Sequence, residues 1–280
     1  MGNTPTPEGA RPTIYFFYGN STEYNMRLTL VQSDIVWESA TESLSRLDAL
    51  LAKVETDLIV LPEMFSTGFS MKASAIAEPE DGPSFRWMLQ KSAALKAVLI
   101  GSVPTKTTEG KAVNRLYVTF PDGRHLHYDK KHLFNLAKEH EHYEPGTQKL
   151  QFEWLGWRIF PLVCYDLRFP VWARNTAQAP YDLLIYIANW PKQRRLHWSA
   201  LLQARAIENQ AVCVGVNRVG EDGNGHHYSG DSCLIAASGE KLWEHSDSES
   251  VFTTTLNKAD LLELRQRLPF LNDADSFTLI

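Results

Sequence analysis

Six short apolar runs constrain this chain more than any other feature: 57–61 (DLIVL), 97–102 (AVLIGS), 158–164 (RIFPLVC), 183–189 (LLIYIAN), 211–217 (AVCVGVN) and 232–237 (SCLIAA). Each is short and apolar on both alternating faces, the pattern of a strand covered on both sides. Helical periods separate them. Leu44, Leu47, Leu51 and Val54 step by 3, 4 and 3 along one helix face. The segment 83–96 opens with proline in its first turn, and 171–178 and 196–209 are further helices. Residues 26–32 alternate as a first strand, and 114–120 and 125–130 flank Pro121-Asp122-Gly123-Arg124 as a hairpin. Strands alternating with helices, with a hairpin inserted, predict an α/β or α+β layered fold.

The 280 residues are 44% hydrophobic and 22% charged, enough for a large core. Residues 1–25 are rich in Pro, Gly, Thr and Asn without any period, so they read as an N-terminal extension, and 26–280 as a single domain. The 28 Lys plus Arg against 33 Asp plus Glu leave a net charge of -5, which argues against nucleic acid or an anionic membrane as partner. No apolar run approaches the ~20 residues that span a bilayer. Cys164, Cys213 and Cys233 form no C-x-x-C pair, so neither a disulfide framework nor a cysteine zinc site is expected, and a reducing cytoplasm is the expected compartment. The histidines near 125–142 lack the spacing of a known zinc pattern.

Chemistry is expected where polar residues end apolar strands, because the sheet holds such side chains still. In LIVLPEMF the strand runs through Pro62 into Glu63, a carboxylate between apolar neighbours whose burial favours its neutral form. In FPLVCYDLRFP, Cys164 ends a strand, and the corner frees the next backbone N–H to face an oxyanion. Asp166 and Arg168 read as braces of that corner, which leads to a helix near Pro170. In HYDKKHLF, adjacent Lys130 and Lys131 point to opposite sides of a strand, so one of them aims inward.

Together, LPEMF, YDKKHLF and CYDLRFP resemble the three signatures of the carbon–nitrogen hydrolase, or nitrilase, superfamily, with 67 residues from Glu63 to Lys130 and 34 more to Cys164. The resemblance covers Met26 to the C-terminal region, and PEMFSTGFS, EHEHYEPG and CYDLRFPVWARN look most like its omega-amidase branch. It implies a four-layer α-β-β-α sandwich, commonly a homodimer. It also implies Glu63 as general base, Lys130 as the positive charge beside the reacting carbonyl, Cys164 as nucleophile and the Tyr165 backbone N–H as oxyanion donor. A second glutamate precedes the Pro-Gly pair in that family; Glu139 is preferred for this supporting role, with Glu141 as the alternate. The covalent route needs no cofactor and no metal.

The same resemblance implies a small-molecule amide substrate, 2-oxoglutaramate or a similar dicarboxylic acid monoamide, cleaved to the acid and ammonia through a cysteine thioester. Arg194 or Arg195 is the expected anchor of the far carboxylate. Phe65, Phe134, Asn189 and Trp190 are the expected pocket residues. An N-carbamoyl amidase or a nitrilase of the same superfamily is the alternative enzyme, and a non-catalytic binding or scaffold member the alternative of another class.

Overall fold

The structure, a computed structural model, describes residues 24–279, so all but the end of the expected N-terminal extension lies outside the described residues. The first half of the chain forms β1 (Asn25–Gln32), α1 (Ala40–Leu50), β2 (Leu58–Val60), α2 (Ala73–Ile76), β3 (Glu78–Pro79), α3 (Pro83–Leu95), β4 (Val98–Lys106), β5 (Ala112–Thr119) and β6 (His125–Asp129). The second half forms β7 (Phe152–Trp154), β8 (Trp157–Val163), β9 (Leu183–Ala188), α4 (Arg195–Asn209), β10 (Val212–Asn217) and β11 (Val219–Glu221). The chain then closes with β12 (His227–Ile235), β13 (Lys241–Ser246), β14 (Ser250–Asn257) and α5 (Lys258–Arg267).

Two seven-stranded sheets result. The first runs β14-β1-β2-β4-β5-β6 with β3 beside β4; the second runs β11-β12-β10-β9-β8-β7 with β13 beside β12. The central strands β1, β2 and β4, and likewise β8, β9 and β10, are parallel. Burial on both faces requires that these strands be apolar throughout. Leu28, Leu30, Val60, Ile100 and Val118 of the first sheet share one buried cluster with Val163, Ile185, Ile187 and Val214 of the second. The alternate residues Val31, Ile59, Leu61 and Leu99 face outward onto Leu47, Leu51, Phe85 and Met88 of α1 and α3. Trp198, Leu202 and Ala206 of α4 cover the second sheet. The order is therefore α-β-β-α, and each such side chain taken fully from water contributes about 1.5–3 kcal/mol.

Pro161 lies inside β8 without disrupting it. β7 pairs only with residues up to Ile159, so the far edge of β8 near Pro161 needs no proline N–H.

The helix expected over 171–178 does not form; that segment is turn and bend. The side chain of Asn175 takes over the local hydrogen bonding. Its Oδ1 accepts from Tyr181 N and Thr176 N, and its Nδ2 donates to Tyr181 O and Asn209 O. The helix expected near Pro170 begins instead at Cys164, as a 3-10 turn over Cys164–Arg168. β7, β11, β13, β14 and α5 lie outside the elements read from the sequence, although Val251 to Asn257 is rich in β-branched residues and Asn257 caps α5 through Ala259 N at 3.0 Å.

Four strand ends converge on one edge of the sandwich. Glu63 follows β2, Lys130 follows β6, Cys164 follows β8 and Asn189 follows β9. The loop after Pro145 secures the Lys130 end: Gly146 N donates to Lys130 O at 2.9 Å. A Cβ on Gly146 would stand 2.0 Å from Asp129 O, an immovable backbone atom. Gly146→Ala is therefore expected to cost about 3 kcal/mol through forced separation of this loop from β6. Gly123→Ala, whose added Cβ meets nothing within 4 Å and which pays only for its φ of +86°, is expected to cost about 1 kcal/mol. Urea denaturation of the two variants measures the difference, and equal midpoints would refute the packing account.

Candidate active site

Glu63 is delivered by an apolar strand and then trapped by a sharp change of direction, since the next residue, Met64, has φ of +44°. It is fully buried, as are Lys130 and Glu139. Lys130 Nζ lies 3.0 Å from Glu63 Oε1 and 3.0 and 2.9 Å from the two oxygens of Glu139. Glu139 is positioned by a short 3-10 turn, Glu139–Glu141, and its Oε2 also accepts from Phe134 N. Burial alone would lower the lysine pKa, but the adjacent carboxylates of Glu139 and Glu63 outweigh it and hold Lys130 above its ordinary value, as an ammonium. Glu141 is half exposed and pairs with Lys138 at 3.4 Å, away from this group.

The remaining bonds of Glu63 are also filled from protein. Oε1 accepts from Asn114 Nδ2 at 2.8 Å, and Oε2 from Asn189 N at 2.8 Å. With Lys130 on Oε1 as well, Oε2 retains the spare acceptor capacity.

Cys164 sits at the strand-to-turn corner with φ of +45°, a conformation a non-glycine residue adopts only when its surroundings enforce it. Asp166 does much of the enforcing. Its oxygens accept from Val163 N and His132 N, both at 3.0 Å, and from Tyr128 OH at 2.7 Å, and the Nδ1 of His132 lies 2.7 Å away. One buried carboxylate thus ties the Cys164 corner to the strand that ends in Lys130. Burial pushes the Cys164 thiol well above its ordinary pKa, Glu63 adds to the rise, and Lys130 opposes it. Cys213 and Cys233 lie fully buried inside β10 and β12 as packing residues.

A cavity of about 190 Å³ opens over this group, lined by Lys130, Cys164, Tyr165, Asn189, Trp190 and Phe134. Arg168 and Arg194 also line it. Arg168 stacks over the Trp190 ring at 4.7 Å and donates to His197 Nδ1, while Arg194 stacks over Phe134 at 5.3 Å. Neither guanidinium has a carboxylate partner among the described residues.

Two expected pocket residues are elsewhere. Phe65 is buried in the outer core against Trp87 and Gly101, because the turn at Met64 directs it away from the cavity. Arg195 points from the start of α4 to Asp231, its ion-pair partner. Arg168, read from the sequence as a brace, faces the cavity instead. Phe69, from the PEMFSTGFS segment, also lines it, as do Met71, Asp222 and Tyr228, which no motif marks. Asn114 escapes sequence reading too, since nothing local marks a mid-sheet asparagine whose partner is 51 residues away.

Comparison with known proteins follows this geometry. The carbon–nitrogen hydrolase family model matches residues 27–266. The chain is 47% identical to omega-amidase YafV of Yersinia enterocolitica over 257 residues, 91% of this chain and 99% of that protein. It is 31% identical to the 2-oxoglutaramate amidase of Bacillus subtilis over 251 residues, 88% and 96% of the two chains. Among solved structures it is similar to XC1258 from Xanthomonas campestris, a CN-hydrolase superfamily protein with an arsenic adduct in its active site, with a TM-score of 0.89, 44% identity and coverage of 91% and 99%.

Two outcomes are expected. Glu139→Ala leaves the fully buried Lys130 short of a carboxylate and should destabilise the protein by about 3–5 kcal/mol, whereas Glu141→Ala should cost no more than about 0.5 kcal/mol. Comparable losses in thermal unfolding would refute the distinction. Because the Cys164 thiol titrates above the ordinary range, its alkylation by iodoacetamide should keep accelerating above about pH 8.5. Glu63→Gln removes a negative charge that raises the thiol, so acceleration should set in at lower pH; peptide mapping of the label reads this, and an earlier plateau in the parent protein contradicts it.

Proposed function

The chain belongs to the carbon–nitrogen hydrolase family, and from that premise we propose that it is an omega-amidase, hydrolysing the terminal amide of 2-oxoglutaramate or a similar dicarboxylic acid monoamide. The observation that carries the reading is a buried lysine held between Glu63 and Glu139 at the floor of a cavity shared with Cys164. The relatives named above support the substrate class, and so do Arg168 and Arg194, two guanidinium groups in the wall without carboxylate partners among the described residues. A simple nitrile would leave both unused. A carbamoyl amino acid also has a carboxylate, so that alternative is separated by turnover.

In this reading Glu63 Oε2 takes the thiol proton as Sγ attacks the amide carbon. The carbonyl oxygen becomes an oxyanion, stabilised by the Lys130 ammonium and the Tyr165 backbone N–H. Glu63 then gives its proton to the amide nitrogen, the C–N bond breaks, ammonia leaves and a thioester remains. Water attacks the thioester carbon as Glu63 accepts one of its protons. The C–S bond breaks, the proton returns to sulfur and the acid is released. Glu139 holds Lys130 in place and balances its charge.

The same proposal treats residues 26–280 as one hydrolase domain acting as a cytoplasmic homodimer. The free thiols of Cys164, Cys213 and Cys233 support a reducing compartment. No helix of the described residues is long and apolar enough to cross a membrane.

Purified protein should release ammonia from 2-oxoglutaramate and succinamate, and Cys164→Ala should reduce this to background. Faster turnover of a carbamoyl amino acid or a nitrile would overturn the substrate class. Undiminished release by Cys164→Ala would overturn the nucleophile, and no turnover of any of these compounds would favour a binding role.

A further inference from the structure

Asn189 is committed on three sides. Its backbone N donates to Glu63 Oε2 at 2.8 Å, its Nδ2 donates to the Glu63 carbonyl oxygen, and the following Trp190 N donates to Asn217 Oδ1 at 2.8 Å. Because Nδ2 must face the Glu63 carbonyl, the orientation of the side-chain amide is settled and Oδ1 faces the other way. That oxygen is shielded from solvent and accepts no hydrogen bond from any described residue, although the residue is only 4% exposed and lines the Cys164 cavity. A buried acceptor without a donor is costly, and few native ones persist without a use.

The surroundings identify the donor that fits. Lys130 and Asn114 occupy Glu63 Oε1, so the acid–base proton travels on Oε2, the oxygen held by Asn189 N. A nitrogen that takes this proton must approach Oε2, and it therefore arrives beside Asn189. A primary amide brings two N–H donors to that point. Asn114 also has an unpartnered Oδ1, but it does not line the cavity and so cannot receive them.

We propose that Asn189 Oδ1 accepts a hydrogen bond from the N–H of the scissile amide, making Asn189 the residue that selects a primary amide over an ester at the leaving-group side. The proposal rests on the omega-amidase reading and adds the group that recognises the leaving nitrogen. An ester has no N–H to offer, and its alkoxy oxygen would set one acceptor against another. Sites built to pair with an N–H discriminate strongly against analogues that lack it.

The test compares succinamate with monomethyl succinate, which share the far carboxylate and differ in the leaving group, in the parent enzyme and in Asn189→Leu and Asn189→Asp. Both variants lose the Nδ2 bond to Glu63, but the aspartate retains an acceptor oxygen. The ratio of kcat/KM for amide over ester should fall by about tenfold in Asn189→Leu and less in Asn189→Asp. A purely structural role would lower both substrates equally and leave the ratio unchanged, which would overturn the proposal while leaving the amidase reading intact. Failure of the parent enzyme to release ammonia from either succinamate or 2-oxoglutaramate would overturn the amidase reading itself.

Discussion

Everything at this site depends on one buried cation shared by two buried carboxylates. Removing Lys130, Glu63 and Glu139 from water is expensive, and their mutual attraction offsets the cost only while all three keep their geometry. Burial is the main reason the Cys164 thiol is raised, and the group's net charge of minus one when all three are ionised adds to it by disfavouring a second negative charge. Transfer of the thiol proton to Glu63 leaves the net charge of the site unchanged. In the proposed mechanism the site therefore need not hold a standing thiolate; it makes one as the carbon is attacked, when the oxyanion draws the new charge toward Lys130.

That arrangement needs strand ends fixed to within fractions of an ångström, and the two facing sheets provide them. β2 and β6 belong to one sheet and β8 and β9 to the other, so the reacting groups lie across the interface between layers. Hydrophobic packing alone sets such a separation loosely. The directional links are polar: Asp166 joins the Cys164 corner to the Lys130 segment, and Asn189 joins the end of β9 to Glu63. Both are short side chains, with little rotamer freedom to lose on being fixed.

Sequence reading reached the part of this that is local. An apolar run ending in a polar residue marks a strand end, and three motifs in order bring Glu63, Lys130 and Cys164 into one argument; the structure places Lys130 and Cys164 on one cavity and Glu63 directly behind Lys130. What escaped is set by contacts between distant segments. Phe65 is two residues from Glu63, but the left-handed Met64 directs it into the outer core, and Phe69, past Gly68, reaches the cavity instead. Arg195 is adjacent to Arg194, yet the helix that begins there sends it to Asp231. The unformed helix at 171–178 has the same origin, since Asn175 satisfies its neighbours through partners on α4 and before β9.

The cavity wall follows a different logic from its floor. Phe69 and Met71 come from the loop after Glu63, Asp222 from the turn joining β11 to β12, and Tyr228 from the start of β12. Arg218, fully buried, ties this hairpin to the segment after β1: Nη2 donates to Asp34 Oδ1, Ile35 O and Glu221 O, Nε donates to Val219 O, and the guanidinium lies 4.8 Å from the Tyr228 ring. Gly68 must be a glycine for this packing, because it has φ of +74° and an added Cβ would press on Trp37 at 3.1 Å and Arg218 at 3.4 Å. Asp222 in turn is consumed by Asn224 N, His226 N and Tyr228 OH, so its charge closes the hairpin and leaves little capacity to bind a substrate cation. The floor is built from strand ends and much of the wall from braced loops, and Arg168 and Arg194, which have no carboxylate partner among the described residues, lie on the wall. The motifs reach both parts, since Phe69 follows Glu63 in PEMFSTGFS and Arg168 follows Cys164 in CYDLRFP, whereas Arg194, Asp222 and Tyr228 come from segments that no motif covers.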